Sequence, residues 1–579
     1  MQRGFDRRGV LKGLAAAPLA ASAPAYLTGK HSPVTVFEAA RIVTMDRSLP
    51  QARFMAVADG MVLGLADELA GLHAWTGGRE VRLDRDFAGQ VIFPGLIDPH
   101  IHPMQSAVML NLPFLAPDDW HLPSGYWPGI IGQDAWRARL SRLLRDDPSD
   151  PLIVWGHHEL FHGPLGKQVL DEISPYRPLF VWQRSFHDIY TNTAGLKSVG
   201  LGDETAFAAA IVAGGADPEH SSFARGVFSE TGLLVALGRL RGALLGADRM
   251  TKGFADLATI LRQRGVTTAC DMATGIFAGF DTEAGLIARS FGSPSTMART
   301  LDMPNAAERP AQPAMDAWLT AKRAAFASPN VSLDRRAKLL VDGAFFAQNM
   351  RMGPPGYSDG HVGKWLTEPA NLKVQLARLA SADFAMHIHV NGDEGAETLL
   401  GLLEGLPPQA LRKITLEHLG YCTEAQARQI ARLGLMVSAQ PNYIRVLGEA
   451  YGRQGLGPDR AALMNRLGTL ERGAVPLGLH SDFNMAPIDP FYLAWIAQTR
   501  EGLDGVVRGP EERLSREKAL RAITIEAAQV VGMDAKIGSL AAGKMADFIV
   551  LEKDPLTMEL AAMKELPITA TAFEGTIAR

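Results

Sequence analysis

The sequence predicts an α/β fold, in which a TIM-like (β/α)8 barrel with insertions carries a small β-sandwich domain built from both chain ends. Apolar β-type runs alternate with helical patterns across about 430 residues, which favours the barrel. Short alternating runs occur at both ends of the chain. No glycine-rich phosphate loop follows any of the runs, which weakens the alternative of a doubly wound open sheet. A length of 579 residues is compatible with one large barrel and additional smaller domains.

Residues 1–25 are predicted to be a removable export signal that is not part of the fold. Arg7 and Arg8 precede an alanine- and leucine-rich run that is too short for a permanent transmembrane span. The segment resembles the twin-arginine consensus S-R-R-x-F-L-K, with Asp6 in place of Ser and Val10 in place of Phe. The alternative is an N-terminal helix that remains attached. We expect a periplasmic or otherwise exported protein with no membrane anchor once the signal is removed.

Residues 33–90 and 534–579 are predicted to form the small β domain. Strands are expected at 34–37, 41–44, 54–57, 81–83, 546–551 and 568–573, and those of the first segment are expected to be joined by tight turns. Because similar runs occur at both ends, the two ends could pair into one domain.

Residues 91–533 are predicted to form the barrel. Strands are expected at 152–155, 179–182, 266–269, 338–341, 384–389, 414–416, 435–438 and 477–479, and helices at 372–380, 396–403 and 424–433. Several of the strand runs are continuously apolar, as strands buried on both faces require. The carboxyl ends of barrel strands converge on one face, where barrel active sites are built.

Composition and charge exclude several kinds of protein and of site. Hydrophobic residues make up 47% and charged residues 21% of the chain, which argues against disorder and fibrous repeats. A net charge of -4 offers no field for wrapping nucleic acid, so the expected partner is a small-molecule substrate. Cys270 and Cys422 stand far apart, so any metal must be held by histidines and carboxylates. The sequence leaves the oligomeric state open, a homo-oligomer included.

His100 and His102 are the first candidate metal ligands. They follow the apolar run 91–97 and Asp98. Residues i and i+2 of a strand point to the same side, so both imidazoles can meet one ion. The alternative is a pair of histidines on a surface loop.

Lys338, His389, His418 and Asp482 are four further candidate site residues. Each is expected to fall at the carboxyl end of a predicted strand. A lone Lys or His in an apolar run is more often a packed, hydrogen-bonded core residue. Four such residues in barrel order are hard to explain in that way, because the strand ends meet on one face.

Six motifs stand in a fixed order along the chain. They are Pro94–His102 (P-G-x-x-D-x-H-x-H), Lys338–Gly343 (K-x-x-x-D-G), His389–Asp393 (H-x-x-G-D), Glu417–His418 (E-H), Ser481–Asp482 (S-D) and Gly538–Asp547 (G-S-L-x-x-G-K-x-A-D). Each motif is moderately specific, but together they resemble the amidohydrolase superfamily. Within it, the chain is similar to the amidohydrolase 3 group of YtcJ-like and N-substituted formamide deformylase-like proteins. The match runs from about residue 34 to the C-terminus.

The resemblance implies a centre of two divalent ions, with zinc as the expected metal. The implied ligands are His100, His102, Lys338, His389, His418 and Asp482. The first two histidines and the aspartate would bind one ion, and the other two histidines the second. The lysine would bridge both ions as a carbamate formed with carbon dioxide. An unmodified lysine could be a ligand only when deprotonated, so the alternative is a salt-bridged lysine beside a single metal.

The resemblance also implies hydrolysis of a carbon–nitrogen bond other than a peptide bond, in an amide, an N-substituted formamide or a related compound. A metal-bound hydroxide would attack, and Asp482 would carry its proton to the leaving nitrogen. The alternatives are other metal-dependent hydrolase chemistry, such as a deaminase or lactonase, and a non-catalytic binding protein on the same scaffold.

Two histidines leave the register of the ligands open. His387 and His480 each precede an implied ligand by two residues, so each pair faces one way along its strand. The Gly-Asp context favours His389 over His387. The need for a carboxylate in proton transfer favours Asp482, and His480 is then expected to be a hydrogen-bonded core residue.

Two other histidines are predicted to contact substrate. His187 falls where relatives have a pocket histidine, and His158 belongs to a cluster that follows a predicted strand. For His158 a solvated loop is the alternative. Aromatic residues near these positions favour a bulky, partly apolar substrate.

Overall fold

The computed structural model describes residues 32–293, 296–305 and 314–579, and the predicted signal at 1–25 lies outside them. The strands are β1 (Val34–Val43), β2 (Gln51–Ala58), β3 (Met61–Ala66), β4 (Val81–Asp84), β5 (Val91–Pro94), β6 (Leu96–Ile101), β7 (Trp120–Leu122), β8 (Gly125–Trp127), β9 (Leu152–His157), β10 (Leu179–Gln183), β11 (Asp188–Thr191), β12 (Ser221–Ser222), β13 (Val227–Ser229), β14 (Val266–Thr274), β15 (Arg299–Pro304), β16 (Val331–Leu333), β17 (Arg336–Leu340), β18 (Ala385–Val390), β19 (Ile414–His418), β20 (Met436–Ala439), β21 (Leu477–Leu479), β22 (Phe548–Leu551), β23 (Ile568–Phe573) and β24 (Thr576–Ala578).

The α-helices lie mainly between these strands. They are α1 (His73–Thr76), α2 (Pro103–Met109), α3 (Gln133–Asp146), α4 (Glu159–His162), α5 (Lys167–Ile173), α6 (Thr193–Ser198), α7 (Glu204–Ala213), α8 (Thr231–Leu244), α9 (Ala247–Gln263), α10 (Phe280–Phe291), α11 (Ala314–Phe326), α12 (Pro369–Ser381), α13 (Asp393–Leu403), α14 (Pro408–Leu411), α15 (Glu424–Leu433), α16 (Asn442–Gln454), α17 (Pro458–Ala462), α18 (Leu467–Arg472), α19 (Pro490–Thr499), α20 (Arg516–Arg521), α21 (Ile525–Val530) and α22 (Leu560–Met563). No helix in the described residues is long and apolar enough to cross a membrane.

Strands from both chain ends belong to one mixed sheet of eight strands. Its order is β24-β23-β22-β5-β1-β2-β3, and β4 pairs with β1. The ends meet where β22 runs antiparallel to β5, with Val550 opposite Ile92. The second layer of the predicted sandwich and the domain boundaries at 90/91 and 533/534 remain predictions.

The turn predicted between 37 and 41 is wrong, because β1 continues through this segment as one strand. Its pairing with β2 shifts between Glu38 and Ile42, which marks a β-bulge or a similar irregularity. Phe37 and Ile42 would face opposite sides of a regular strand. The irregularity lets both side chains join the same buried cluster of apolar residues.

Two sheets of parallel strands form the framework of the predicted barrel. The first has the order β16-β15-β14-β6, and the second has the order β17-β18-β19-β20-β21. Eight of these nine strands, all except the edge strand β16, are the candidate barrel strands. Isolated parallel bridges link the two sheets, Asn305 to Lys338 on one side and Ile101 to Phe483 on the other. Helices lie between these strands along the chain, as the alternating pattern predicts.

Two of the strands predicted for the barrel lie elsewhere. β9 and β10 belong to a separate sheet, with the order β12-β13-β11-β10-β9, inside the insertion between β6 and β14. The parallel set instead contains β6 and β15. An apolar run predicts only that a strand is buried on both faces, and β9 and β10 meet that condition within the insertion.

Candidate metal centre and active site

One cavity of about 550 Å³ is lined by all six residues that the family resemblance implies as ligands. Its walls include His100, His102, Lys338, His389, His418 and Asp482. These residues lie on, or directly after, the parallel strands β6, β17, β18, β19 and β21. The parallel framework therefore brings together polar groups that stand far apart in the sequence.

The imidazole of His100 is fixed from behind by a buried carboxylate. Its Nδ1 lies 2.8 Å from Oε2 of Glu417, and its Nε2 lies 3.5 Å from Oδ1 of Asp482. Burial disfavours ionised Glu417, but the hydrogen bond and charge of His387 lower the pKa of this carboxyl. An ionised carboxylate only accepts hydrogen bonds, so Nδ1 of His100 is the donor and Nε2 keeps its lone pair.

Glu417 also binds a second histidine. Its Oε1 accepts a hydrogen bond of 2.6 Å from Nδ1 of His387. His389 lines the cavity, whereas His387 is absent from its described walls. This placement favours the predicted register, in which His389 faces the centre.

Asp482 lies between two groups of histidines. Its Oδ1 is 3.2 Å from Nε2 of His102, and its Oδ2 is 3.7 Å from Nδ1 of His418. Burial opposes ionisation, but the hydrogen bond from His102 lowers the pKa of Asp482. The backbone of Asp482 has a φ of 50°, a left-handed conformation that costs a non-glycine residue about 1–3 kcal/mol. The surrounding structure holds this carboxylate in place despite the strain.

His389 and His418 form the other side of the centre. Their ring centroids are 4.6 Å apart. Burial lowers the pKa of His389 to about 3 and also lowers the pKa of His418. Both rings are therefore neutral at neutral pH, which is the form that binds metals.

His480 is a buried, hydrogen-bonded residue, as predicted, and it lies beside His418. Its Nδ1 lies 2.7 Å from the hydroxyl of Ser438, and its Nε2 lies 3.2 Å from Nδ1 of His418. The His-x-Asp spacing had left the ligand register open between His480 and Asp482, and the structure places both side chains close to His418.

The donor set fits a divalent cation. Two overlapping groups have all their donor atoms within 4.8 Å of one another: His100, His102 and Asp482, and His100, His418 and His480. Donor atoms that share a zinc ion at about 2.0–2.2 Å lie roughly 3–4 Å apart, so small side-chain shifts suffice for binding.

Lys338 is the least ordinary member of the group. It lies in the middle of β17, and not at the carboxyl end as predicted, because the strand begins at Arg336 and continues to Leu340. Its side chain is 2% exposed, and its Nζ has no hydrogen-bond or ion-pair partner within the described part of the chain. Burial lowers the pKa of Lys338, against the attraction of Glu417 and Asp482. A buried ammonium without a hydrogen-bond or ion-pair partner is costly.

His187 lines the same cavity and is held by a carboxylate. Its Nδ1 lies 2.8 Å from Oε2 of Glu230, and Oε1 of Glu230 lies 3.2 Å from Nζ of Lys364. Burial disfavours the imidazolium, but Glu230 outweighs it and raises the pKa of His187. With Nδ1 engaged, Nε2 is the ring nitrogen left to a ligand. The sequence offered no signal for Glu230.

His158, the other predicted substrate contact, is absent from the described walls of the cavity. Its Nε2 lies 2.9 Å from the carbonyl oxygen of Phe346, and its Nδ1 accepts from the backbone N–H of Leu160 at the start of α4. Both ring nitrogens are therefore engaged by the protein. The buried placement also differs from the solvated loop given as the alternative, and it favours a structural role for His158.

Glu417→Gln is expected to lower the affinity for zinc by about 10- to 100-fold, because the support of His100 is lost. Competition with a chromophoric chelator measures this affinity. Glu424→Gln, on the exposed first turn of α15, is the matched control and should keep the wild-type value. An unchanged affinity in the Glu417 variant would show that the carboxylate does not orient the ring.

Glu230→Gln is expected to lower the free energy of unfolding by about 1–3 kcal/mol, most strongly between pH 4.5 and 6.5. The raised pKa of His187 gives stability that is complete below its ordinary 6.5 and is lost as pH rises through the folded value. Despite burial, His187 and Lys364 lower the pKa of Glu230 to about 2, which adds stability above 4.5 that is lost as pH falls towards 2. Urea denaturation over a pH series measures the difference, and one that does not vary with pH would contradict the pairing.

Comparisons with known proteins place this site in a family. The amidohydrolase family model matches residues 85–579. The protein LONG AFTER FAR-RED 3 of Arabidopsis thaliana is 23% identical over 555 residues, which cover 88% of this chain and 85% of that protein. N-substituted formamide deformylase of Arthrobacter pascens is 24% identical over 507 residues, which cover 85% of this chain and 89% of that enzyme.

A solved structure has the same fold. It is an uncharacterized metal-dependent hydrolase from Pyrococcus horikoshii OT3, with a TM-score of 0.66 and 18% identity, and the match covers 91% of this chain and 99% of that one. The family match extends over most of the chain, including every residue of the donor set. The chain belongs to the amidohydrolase family and is a metal-dependent hydrolase.

Proposed function

We propose that this enzyme hydrolyses a carbon–nitrogen bond other than a peptide bond, in an amide, an N-substituted formamide or a related small molecule. The observation that carries the proposal is the cavity, which is lined by imidazoles, a carboxylate and a buried amine that has no partner among the described residues. The relative named N-substituted formamide deformylase supports this class of bond.

The proposed metal centre uses all six residues that the family resemblance implies as ligands. We assign the ligands to His100, His102, Lys338, His389, His418 and Asp482, with two zinc ions as the expected metals. Two cations need an anionic bridge. The unprotonated amine of Lys338 can add carbon dioxide and release one proton, which gives a carbamate. Burial lowers the pKa of Lys338 and so favours the amine that this reaction needs.

The proposed reaction adds water to the carbonyl carbon and breaks its bond to nitrogen. When bound, the cations supply Lewis acidity, which lowers the pKa of a water and polarises the carbonyl. Asp482 is the carboxylate that we assign to accept the proton of the water. Asp482 then gives this proton to the leaving nitrogen, and the products are an amine and a carboxylic acid.

His187 is the proposed substrate contact. Glu230 binds its Nδ1 and so fixes the ring. Nε2 is then the ring nitrogen left to the substrate, and it can donate to the oxygen of an amide when the ring is protonated, a state that Glu230 favours because it raises the pKa of His187. The apolar walls, which include Phe345, Phe346 and Tyr443, favour a partly apolar substrate.

The proposed site requires the parallel strands to surround it. We propose that the eight parallel strands close into a (β/α)8 barrel. The bridges at Lys338 and at Ile101 support closure, because they join the two parallel sheets on both sides.

Export is proposed on the sequence alone. Arg7 and Arg8 in front of an apolar run support a twin-arginine signal and a periplasmic location. Replacing both arginines with lysine should retain the protein in the cytoplasmic fraction. Unchanged export of this variant would contradict the assignment.

A substrate panel with the zinc-loaded enzyme tests the proposed bond class. We expect turnover of N-substituted formamides and N-acyl amines, loss of turnover after chelation, and recovery on adding zinc. Turnover confined to lactones or to ring amidines would replace the proposal with lactonase or deaminase chemistry. Loaded protein that acts on none of these compounds would support a binding role.

A further inference from the structure

A second chamber adjoins the active-site cavity. Its volume is about 500 Å³, close to the 550 Å³ of the cavity itself, and the two share Gln105, Leu234, Ile276 and Phe277 as walls. Ligand pockets for drug-sized molecules span about 300–1,000 Å³, so each space could hold such a molecule. A compact formamide would leave the second chamber unused.

The wall between the two spaces is held in place by a buried carboxylate. Ile276 and Phe277 belong to the loop that joins β14 to α10. Glu283 of α10 accepts hydrogen bonds from the backbone N–H groups of Gly275, Phe277 and Ala278 at 2.7, 2.7 and 2.5 Å. Three bonds to one carboxylate fix the loop, so the second chamber is a built feature of the fold.

Polar side chains occur at this junction. Gln105 is 7% exposed and lines both spaces, so its carboxamide can donate to and accept from a ligand that passes between them. Trp182 also lines the second chamber, and its buried indole N–H has no hydrogen-bond partner in the described part of the chain.

The remaining walls define the chemistry of that ligand. Leu237, Leu244 and Val108 give the second chamber apolar surface, and Arg241 is the one charged residue in its described walls. Arg241 is exposed and has no ion-pair partner among the residues that the structure describes. It also lines an outer groove that contains Arg262 and no acidic side chain in its described walls. A ligand that reaches Arg241 would gain from an anionic end.

We propose that the substrate spans both spaces, with its scissile amide in the active-site cavity, an extended apolar chain that passes Gln105, and a terminal carboxylate at Arg241. This inference rests on the proposed function and specifies its substrate class. The class is an N-acylated or N-formylated amine whose other end carries an acid.

Matched formamides test the inference in the zinc-loaded enzyme. One series is N-formyl-ω-aminoalkanoic acids of increasing chain length, and the other is N-formyl-alkylamines of equal length. We expect kcat/KM to rise with length and the acid-ended compounds to be preferred by roughly tenfold or more at the best length. Arg241→Gln should reduce this preference by about the same factor. Arg239→Gln, an exposed neighbour on α8 outside both spaces, should retain it.

A binding measurement separates failure of this inference from failure of the proposed function. Calorimetry compares decane-1-sulfonate with decan-1-ol, and neither can be hydrolysed. If no formamide reacts but Arg241→Gln still weakens sulfonate binding by roughly tenfold, the proposed function fails and the second chamber stands. Equal rates for both formamide series at every length, or a preference unaffected by Arg241→Gln, would overturn the inference. Inert formamides with sulfonate binding unaffected by Arg241→Gln would overturn it as well.

Discussion

Asp482→Asn lowers kcat by about 10²- to 10⁴-fold in the zinc-loaded enzyme, as loss of a positioned proton carrier does. The carboxylate lies between His102 and His418, at 3.2 and 3.7 Å from their ring nitrogens. Asparagine has nearly the same shape but cannot carry a proton from water to the leaving nitrogen. Steady-state kinetics on the best amide, together with the zinc content of each preparation, measure the effect.

The zinc content of the Asp482 variant distinguishes the two roles assigned to this residue. A variant that keeps its zinc but loses turnover identifies Asp482 as the proton carrier. A variant that loses both its zinc and its turnover is explained by the role of Asp482 as a metal ligand alone. Asp393→Asn is the control, since this carboxylate accepts from the backbone N–H of Gly353 outside the described walls of the cavity. An Asp482 variant that keeps more than a tenth of wild-type kcat would contradict the proposal.

Strain at Asp482 supports a functional role for its position. The φ of 50° is a conformation that only glycine adopts without cost. His418, which is also not a glycine, has a φ of 71°. Both residues directly line the cavity. Non-glycine residues in this region persist where the surrounding structure holds them, and such residues cluster at active sites.

The meeting of these side chains in one cavity could be predicted from sequence, because short motifs carry them. His100 and His102 are two residues apart on a strand that runs into the site, so the local sequence identifies them as a pair. The helix at Glu424–Leu433 was likewise predicted to its ends, because its pattern is local. Motifs and periodicity are properties of residues that are close in sequence. They therefore predict features that depend on local sequence, such as a ligand pair on one strand or the ends of a helix.

The supporting groups could not be predicted, since they depend on contacts between distant segments. Glu417 binds His100 across 317 positions of the chain, and Glu230 binds His187 across 43. The same limit explains β9 and β10, whose apolar runs predict burial but not the sheet that they join. His158 was misleading for a related reason, because the carbonyl that it binds belongs to the distant Phe346.

Lys338→Met lowers kcat by at least about 100-fold and leaves the apoprotein as stable as the wild type or more stable. Loss of an anionic bridge removes several kcal/mol of stabilisation from a two-metal centre, and 100-fold corresponds to about 2.7 kcal/mol. Methionine keeps the apolar length of the side chain but removes a buried amine that has no partner in the described residues. The change breaks no hydrogen bond or ion pair among the described residues, so we expect it to be neutral or stabilising in the apoprotein.

Three measurements on the Lys338 variant test the carbamate directly. The zinc content should fall from two ions to one or none, and the apoprotein should melt at or above the wild-type temperature. A carbonyl signal from ¹³C-labelled carbon dioxide should appear in the NMR spectrum of the wild type and be missing from the variant. Lys413→Met, at an exposed lysine paired with Asp383, is the control and should change none of these. A variant that binds two zinc ions and turns over normally would mean that Lys338 is a packed lysine with no part in the centre.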